Sequence, residues 1–400
     1  MARNELSNLT AKSAGLQEEL VRIRRELHRI PELGCELPET CAYVEEYLKK
    51  LGIPFQELGK AGGILAEIDT GRPGKLLCFR ADMDALPVTE ETGLPFASEH
   101  TGKMHACGHD AHISMLLGAA AVLMEQRDRL SGKILLLFQS GEETMSGAKL
   151  AISEGAMDPL PDAVFGIHIG SIMGAEIPSG TVIAAPGCVM ASCDRFIIRV
   201  RGKGCHGSTP EKGVDPILAG AQIVTGLQEI LSREFSGSIP KVLTVGKFQA
   251  GFAFNVIPDE AVMEGTVRAV DEAVRQQILR RIREIAVSIA AAYRAEADVE
   301  ILYGAPPVVN DRSMARLAAE AAAAVTGPEH VVTQVASPTM IGEDFALYLE
   351  KTPGAFLFLS SSDREKGTDV SHHNSRFNVN EDVLWQGAAV FVEIAGRYLG

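Results

Sequence analysis

Short apolar runs separated by helical patterns constrain the fold of this chain more than any other feature. The runs cover residues 62–68, 75–82, 133–140, 163–169 and 355–360. Apolar residues recur at helical spacing in the segments 12–30, 38–51, 110–125, 144–155, 312–325 and 381–398. Because strands that alternate with helices form a largely parallel sheet covered by helices, these segments predict an α/β fold.

A stretch in the middle of the chain follows a different rhythm. Strand patterns cover 194–202, 241–251, 259–269 and 297–303, and helical patterns cover 213–233 and 270–292. This β-α-β-β-α-β order is that of a ferredoxin-like unit. A chain of 400 residues also exceeds the size of one ordinary hydrophobic core. We therefore predict a first domain of residues 1–189 and 305–400, interrupted by a second domain of residues 190–304.

The composition disfavours several classes of protein. The formal net charge of −14, with no run rich in lysine and arginine, argues against nucleic acid and anionic membranes as partners. No apolar run approaches the ~20 residues of a membrane span. The polar N-terminal segment has no signal-peptide pattern, and the seven cysteines form no CxxC pair. These features predict a cytoplasmic protein with reduced thiols.

Polar clusters lie where predicted strands end or where the next helix begins. The clusters are Asp82 with Asp84, the segment HACGHD at 105–110, Glu142 with Glu143, His168, and His372 with His373. In open α/β sheets, ligands bind at the edge formed by the carboxyl ends of the strands. His, Cys, Asp and Glu are also the side chains that ligate zinc and similar divalent ions. The sequence therefore indicates a metal site at this edge.

Each cluster taken alone has a commoner explanation. The HACGHD segment can be a loop with a structural thiol, His168 can be a core histidine, and the glutamates can be acids favoured at a helix N-terminus. Two adjacent carboxylates directly after an apolar strand are nevertheless costly unless a cation or a proton separates their roles. Because five such clusters at one sheet edge are a much rarer coincidence than one, the joint interpretation is a functional site.

Motifs along nearly the whole chain resemble one known family, the amidohydrolase/aminoacylase branch of the co-catalytic metallopeptidases. This branch includes hippurate hydrolases, N-acyl-amino acid hydrolases and auxin–amino acid conjugate hydrolases. The motifs are RRELHRIPELGCELPET (24–40), FRADMDALPVTEETGLPFAS (79–98), MHACGHDAHISMLLGAA (104–120), FQSGEE (138–143), VFGIHI (164–169), GKGCHGSTPEKGVDPI (202–217), FNVIPDEAVMEGTVRA (254–269), IGEDFALYL (341–349) and HNSRFNVNED (373–382). HACGHDAH followed by a spaced EE and GIH is a specific combination.

The resemblance implies a zinc-exopeptidase-like, three-layer α/β catalytic domain with an inserted ferredoxin-like domain for dimerisation and for covering the substrate. It implies two divalent ions per subunit, which can be zinc, manganese, cobalt or nickel. By the resemblance the metal ligands are Cys107, His109, Glu143, His168 and His373. We prefer His373 to His372 because its spacing to Asn374 and Phe377 matches the family pattern.

The resemblance also assigns roles around the metals. Glu142 is expected to be the general base and acid for a metal-activated water, and His206 of a partner subunit to donate to the developing oxyanion. Asp84 is expected to orient a ligand histidine. Asn255 and Arg268 are candidates for gripping a substrate carboxylate. Without the resemblance, His206 is an exposed loop residue, Asp84 a turn residue and Arg268 a salt-bridge partner on a strand.

The predicted activity is cleavage of N-acyl amino acids or related small amides by a homodimer or a larger homo-oligomer. One alternative is a dipeptidase or carboxypeptidase with the same centre, although the arginine that related exopeptidases carry near 303–307 is absent. A second alternative uses Cys107 as a nucleophile with His109 or His168 as its base. A third is a metal-binding protein without catalysis.

The chain departs from the family pattern beside the predicted site. Thr144-Met145-Ser146 follows the glutamates where glycine is usual, Asn374-Ser375 replaces the usual step to proline, and Gly170-Ser171 replaces aromatic residues or proline. Each of these positions borders the expected pocket, so the acyl group and the amino acid are left open.

Overall fold

A computed structural model describes residues 12–400; the first eleven residues, part of the predicted polar N-terminal segment, lie outside the described part. The chain divides into two compact units. The first comprises residues up to Gly187, Val309–Ala336 and Asp344–Gly400. The second comprises Cys188–Val308 and Ser337–Glu343. The crossing points lie within a few residues of those predicted, but the short segment Ser337–Glu343, which has no strand or helix pattern, was not expected to group with the inserted unit.

The first unit is built on a sheet that is eight-stranded in the described residues. Its strands are β1 (Phe55–Leu58), β2 (Gly63–Asp69), β3 (Leu76–Asp82), β4 (Lys133–Gln139), β5 (Ala163–Gly170), β6 (Val182–Ile183), β15 (Val331–Val332) and β16 (Gly354–Ser360). Their order across the sheet is β1-β2-β4-β3-β5-β16-β6-β15. The centre is parallel, since β3 pairs with β4 and β5, and β5 pairs with β16. The flanks contain antiparallel pairs, namely β1–β2, β2–β4 and β6–β16. The sheet is therefore mixed rather than largely parallel.

Helices of the first unit bury their apolar sides against this sheet and each other. They are α1 (Gln17–Arg29), α2 (Pro38–Leu51), α3 (His109–Gln126), α4 (Gly147–Ser153), α7 (Arg312–Thr326), α8 (Ala346–Leu349) and α9 (Leu384–Leu399). α3 is apolar all round and almost entirely buried, as expected of a helix in the interior of a large domain. Phe79 of β3 contacts Phe391 of α9, with ring centroids 4.9 Å apart. The predicted α/β class is confirmed.

The second unit is an α+β sandwich of one sheet and two helices. Its elements are β8 (Cys193–Arg201), β9 (Cys205–His206), α5 (Pro216–Arg233), β10 (Lys241–Ala250), β11 (Val256–Ile257), β12 (Glu260–Ala269), α6 (Glu272–Ala292) and β13 (Glu296–Ala305). The sheet order β10-β12-β8-β13, with antiparallel neighbours, is the ferredoxin-like order that the sequence predicts. Phe196, Ile223 and Ile278 are buried in its separate core.

Aspartates at the first position before a helix explain why several helices begin where they do. Asp215 accepts hydrogen bonds from the backbone N–H groups of Ile217 and Leu218 at the start of α5. Asp271 and Asp311 cap α6 and α7 in the same way. Such caps satisfy backbone donors that the first helical turn leaves unpaired.

The remaining elements are short. β7 (Gly187–Met190) and β14 (Val308–Asn310) lie where the chain passes between the units in sequence. Single 3₁₀ turns occupy Gly59–Ala61, Arg127–Arg129, Pro210–Lys212, Pro328–His330 and Glu381–Val383. Within residues 12–400, no helix combines the length and the apolar character that crossing a membrane requires.

Candidate metal centre

The parallel strands of the first unit bring the predicted site residues to one edge of the sheet. β3 ends at Asp82, which lies opposite Gln139 at the end of β4, three residues before Glu142. His168 lies near the end of β5, opposite Phe358 of β16. The carboxyl ends of these strands meet because their register is parallel.

Gly108 allows the segment before α3 to approach β5. Its φ of 92° lies in the left-handed region, and a Cβ at this position would lie 3.0 Å from the Ile169 side chain. A side chain here would therefore be strained by its backbone and crowded by β5. The glycine separates Cys107 from His109, the first residue of α3, and so sets where both of them lie.

His109 and Glu143 carry buried polar atoms that no hydrogen bond satisfies. Among the described residues, neither ring nitrogen of His109 nor Glu143 Oε1 has a hydrogen-bond partner. His109 Nε2 lies 3.9 Å from Glu143 Oε1 and 4.0 Å from Glu142 Oε2. Buried polar atoms are costly when they lack a partner. A divalent cation between these atoms would satisfy them, so the side chains fit the metal that the sequence predicts.

Acidic neighbours control the protonation of His109. Burial alone would lower its pKa, but the charges of Asp82, Glu143 and Asp84 raise the pKa of His109 to about 10. In the metal-free protein the imidazole is therefore protonated at neutral pH, and its positive charge partly offsets the negative charge of these carboxylates.

Asp84 holds the backbone of the glutamate pair. Its carboxylate accepts hydrogen bonds from the N–H groups of Glu142, at 2.9 Å, and Glu143, at 3.0 Å. Its Oδ1 also lies 3.7 Å from His109 Nδ1. The carboxylate thus touches both the predicted base and a predicted ligand.

Cys107 lies next to two histidines. Its Sγ is 3.5 Å from His168 Nε2 and 3.6 Å from His372 Nδ1. His168 Nδ1 is 2.9 Å from the carbonyl oxygen of Ile169 and donates to it, which leaves the Nε2 lone pair facing the sulfur. A histidine ligand oriented through its second nitrogen is the usual arrangement at metal sites.

The thiol of Cys107 is less acidic than the helix N-terminus beside it suggests. Burial, together with the negative charges of Glu143 and Glu142, raises the pKa of Cys107 well above its usual range. These effects outweigh the dipole of α3, so the metal-free thiol stays protonated. The alternative in which Cys107 is a free nucleophile loses support, since it requires a thiolate.

The structure brings both histidines of the 372–373 pair to the cluster. His373 has a φ of 64°, is half-exposed, and places Nε2 3.5 Å from Glu143 Oε2. His372 is partly buried and accepts a hydrogen bond from the N–H of Ser171 at Nε2, 3.1 Å away. Burial lowers the pKa of His372 to about 3.

Potential ligand atoms form interlocking groups whose members all lie within 4.8 Å of one another. Three of the groups are His109 with Glu142 and Glu143, Cys107 with Glu143 and His373, and Cys107 with His168 and His372. Cys107 and Glu143 each belong to two of them. This sharing is what two neighbouring ions with common ligands require.

Asp82 and His112 form a further group with His109, but their atoms are already engaged. Asp82 accepts from Arg80, at 2.7 Å, through one oxygen and from His112 Nδ1 through the other. His112 Nε2 accepts the N–H of Ile169 at 2.8 Å. Both nitrogens of His112 are therefore engaged, and both oxygens of Asp82 accept hydrogen bonds, so this pair supports the neighbouring residues.

A second buried network, at the start of α3, was not predicted from the sequence. Asp110 accepts from Arg24, at 2.8 Å, and lies 2.7 Å from Nδ1 of His28. The charges of Arg24 and His28 overcome the effect of burial and hold the pKa of Asp110 well below its usual range. Arg24 and His28 are one helical turn apart in the motif RRELHR, and this spacing of two cations on the buried side of a helix was the available signal.

The three candidates outside the first unit all belong to the second. His206, on β9, is exposed, and its Nδ1 accepts the N–H of Ser208 at 3.1 Å, with the Ser208 hydroxyl at 2.7 Å. Asn255 is exposed, and its carbonyl oxygen accepts from Gly207 N. Arg268, on β12, donates through Nη1 to the hydroxyl of Thr266. The metal cluster described above contains none of these residues.

Comparisons with known proteins agree with this arrangement. The profile described as peptidase family M20/M25/M40 matches residues 78–397. The chain is 41% identical over 388 residues to the N-acetyl-L-cysteine deacetylase of Bacillus subtilis, covering 96% of this chain and 89% of that protein. It is 38% identical over 393 residues to the IAA-amino acid hydrolase ILR1-like 2 of Arabidopsis thaliana, covering 97% and 87%.

A solved structure of similar architecture carries a dinuclear centre. The Bacillus subtilis YXEP protein is described as a dinuclear metal binding peptidase from the M20 family. It superposes on this chain with a TM-score of 0.82 at 35% sequence identity, covering 96% of this chain and 99% of that one.

Proposed function

Since the chain belongs to peptidase family M20/M25/M40 and is a metal-dependent amidohydrolase with two divalent ions, we propose that it releases amino acids from N-acyl amino acids or related small amides. The substrate class rests on its relatives, one a deacetylase of N-acetyl-L-cysteine and one a hydrolase of IAA–amino acid conjugates. The reaction breaks one amide bond and consumes one water molecule.

The proposed ligands are Cys107, His109, Glu143, His168 and His373. The observation that carries this assignment is the set of buried atoms on His109 and Glu143 that have no partner among the described residues. When bound, the two ions activate a water molecule and polarise the amide carbonyl. A soft thiolate with imidazole and carboxylate ligands suits zinc, manganese, cobalt or nickel.

Glu142 is the proposed general base. Its backbone is fixed by Asp84, and its Oε2 lies 4.0 Å from His109 Nε2, at the rim of the ligand cluster. From this position the carboxylate takes a proton from the attacking water. The same group then returns the proton to the amine as it leaves the tetrahedral carbon.

His206 is the proposed donor to the oxyanion, supplied by a partner subunit of a homodimer. Because Nδ1 accepts the N–H of Ser208, the neutral ring carries its proton on Nε2. That Nε2–H group can donate to an oxygen as negative charge develops. Ser208 therefore prepares the ring for the role that the sequence predicts.

Arg268 and Asn255 are the proposed grip on the substrate's free carboxylate. Arginine offers parallel N–H donors that match a carboxylate in a bidentate way. Asn255 is adjacent to His206 through the backbone contact with Gly207, so a substrate held there would also be near the proposed oxyanion donor.

The proposed function is tested with a panel of N-acyl amino acids and dipeptides. Chelated enzyme and enzyme reconstituted with zinc, manganese, cobalt or nickel are assayed for release of the amino acid. We expect cleavage of N-acyl amino acids that disappears with chelator and returns with metal. Retained activity after chelation, with loss on thiol alkylation, would instead support Cys107 as a nucleophile. Preferential cleavage of dipeptides would support the exopeptidase alternative.

A further inference from the structure

The ring of His372 occupies a slot built for it beside the thiol of Cys107. A Cβ on Gly170 would lie 2.2 Å from His372 Nε2 and 2.3 Å from Cε1, so the absence of a side chain at residue 170 makes room for this ring. The other side packs on Phe377, with ring centroids 4.6 Å apart. His168 lies edge-on at 5.2 Å. These contacts fix the position and the orientation of the His372 ring.

The hydrogen bonds of the ring determine which nitrogen carries the proton. The backbone N–H of Ser171 donates to Nε2 at 3.1 Å, so this nitrogen has a lone pair and no proton. In the neutral ring the proton is then on Nδ1. Nδ1 lies 3.6 Å from Cys107 Sγ, within reach of a hydrogen bond to sulfur.

We propose that the two adjacent histidines divide their tasks, so that His373 ligates a metal while His372 donates an N–H···S hydrogen bond to the metal-bound thiolate of Cys107. His372 is thus a positioning residue that acts through the sulfur. This inference rests on the proposed function, because it requires Cys107 to be a ligand.

The competing arrangement, in which His372 itself ligates through Nδ1, conflicts with the hydrogen bond from Ser171. The proton would have to move to Nε2, where it would face the Ser171 N–H, and two donors would point at each other. His373 meets no such conflict, since its Nε2 lies 3.5 Å from Oε2 of Glu143, a proposed ligand of the same ion.

A hydrogen-bond donor beside the sulfur stabilises negative charge that the nearby carboxylates disfavour. The sulfur lies among the carboxylates of Glu142 and Glu143, which disfavour negative charge on it. Hydrogen bonds to a metal-bound sulfur withdraw electron density from it and tune the metal. The N–H of His372, at Nδ1 and 3.6 Å from the sulfur, supplies such a bond.

Two substitutions separate the nitrogens of the ring. His372→Asn keeps an N–H donor near the position of Nδ1, whereas His372→Gln can keep an acceptor for Ser171 N but removes the donor to sulfur. The cobalt-substituted protein reports on the bond through its thiolate-to-cobalt charge-transfer band. We expect the band of His372→Gln to move to longer wavelength, because the sulfur electrons are less stabilised, and that of His372→Asn to stay near the wild-type position. Phe377→Leu, which loosens the same slot without removing the donor, is the control and should leave the band in place.

Cobalt content, measured beside the spectrum, distinguishes the outcomes. We expect His372→Gln to retain both ions and His373→Gln to lose one. Loss of an ion from His372→Gln, or an unshifted band in that variant, would overturn the division of tasks. If the wild-type protein binds cobalt without any thiolate band, Cys107 is not a ligand, and the proposed centre fails together with this inference.

Discussion

The histidines at the sheet edge that carries the proposed metal ligands, called here the metal edge, and His206 of the inserted unit are held in different ways. His109 and His168 are buried and His372 is partly buried, and the backbone or acidic side chains around them fix each ring. His206 is exposed, and the contact with Ser208 two residues away fixes its ring. A metal ligand needs a rigid position before the ion arrives. A donor to a transition state can lie on an open surface that substrate or a second subunit later covers.

We expect the largest loss of activity from a substitution at Glu142, which belongs to the metal edge. We expect Glu142→Gln to reduce kcat by about a thousand-fold, because the amide cannot take a proton from water. Metal content, measured by elemental analysis, should remain at two ions. Glu143→Gln is the matched control and should lose metal as well as activity. Near-normal turnover by metal-loaded Glu142→Gln would show that another group is the base.

A substitution at His206 tests the role of the exposed histidine in the inserted unit. His206→Ala should lower kcat by about a hundred-fold, as removal of one oxyanion donor does in other hydrolases, with no change in bound metal or in the unfolding temperature. A fall in metal content would show that His206 belongs with the buried histidines after all.

Mixed oligomers test whether His206 acts in the site of its own chain or in the site of a partner subunit. Chains carrying His206→Ala and chains carrying Glu142→Gln, allowed to exchange subunits at equal amounts, should recover about a quarter of wild-type activity if each site takes its histidine from the partner of a dimer. Proven exchange without recovery would place a complete site within each chain.

The metal edge alone should couple ion binding to pH. With the pKa of His109 at about 10 and that of Cys107 raised, both groups hold a proton at pH 8 in the metal-free protein. Binding needs both deprotonated, so about two protons leave, and the affinity should rise up to about a hundred-fold per pH unit. Competition titrations with a chelator at pH 7, 8 and 9 measure this slope. An affinity that does not depend on pH would mean that neither group is protonated before binding.

We expect the smallest loss of activity from a substitution at Ser208. Ser208→Ala removes the hydroxyl but keeps the backbone N–H that fixes the ring of His206. Since a single hydrogen bond contributes about 0.5–1.5 kcal/mol net, kcat/KM should fall by no more than about ten-fold. A loss as large as that of His206→Ala would show that the hydroxyl, rather than the backbone, orients the ring.

Much of the fold could be predicted because its strands and helices carry strong patterns. β4 and β5 are almost wholly buried and appear in the sequence as apolar runs. The helix predicted over 144–155 is shorter, since Met145 has a φ of 55° and the N–H of Gly147 bonds to the carbonyl of Gly141. That turn carries no apolar pattern. The two-residue strands β6 and β15 are likewise too short to show one.

The candidate ligands could be named from the resemblance, but the groups that orient them could not. The engagement of Asp82 by His112 depends on a strand and a helix that meet only in the fold. The difference between His372 and His373 depends on one backbone N–H from β5 and its loop. Adjacent histidines look equivalent in a sequence, and only their surroundings separate them.

The order of the strands has a consequence for how the protein is made. β5 pairs with β16, whose residues follow the entire inserted unit, so a growing chain on the ribosome carries Cys107, His109 and His168 long before His373 is translated. Until then β5 has β3 beside it but lacks its second neighbour, and Cys107 has only part of the proposed ligand set near it. The inserted unit has its own core and can form while the ribosome is still at work. Metal loading of the finished enzyme is therefore a late event, and a chain cut short before its last fifty residues should fail to assemble the centre, however well its first half has folded.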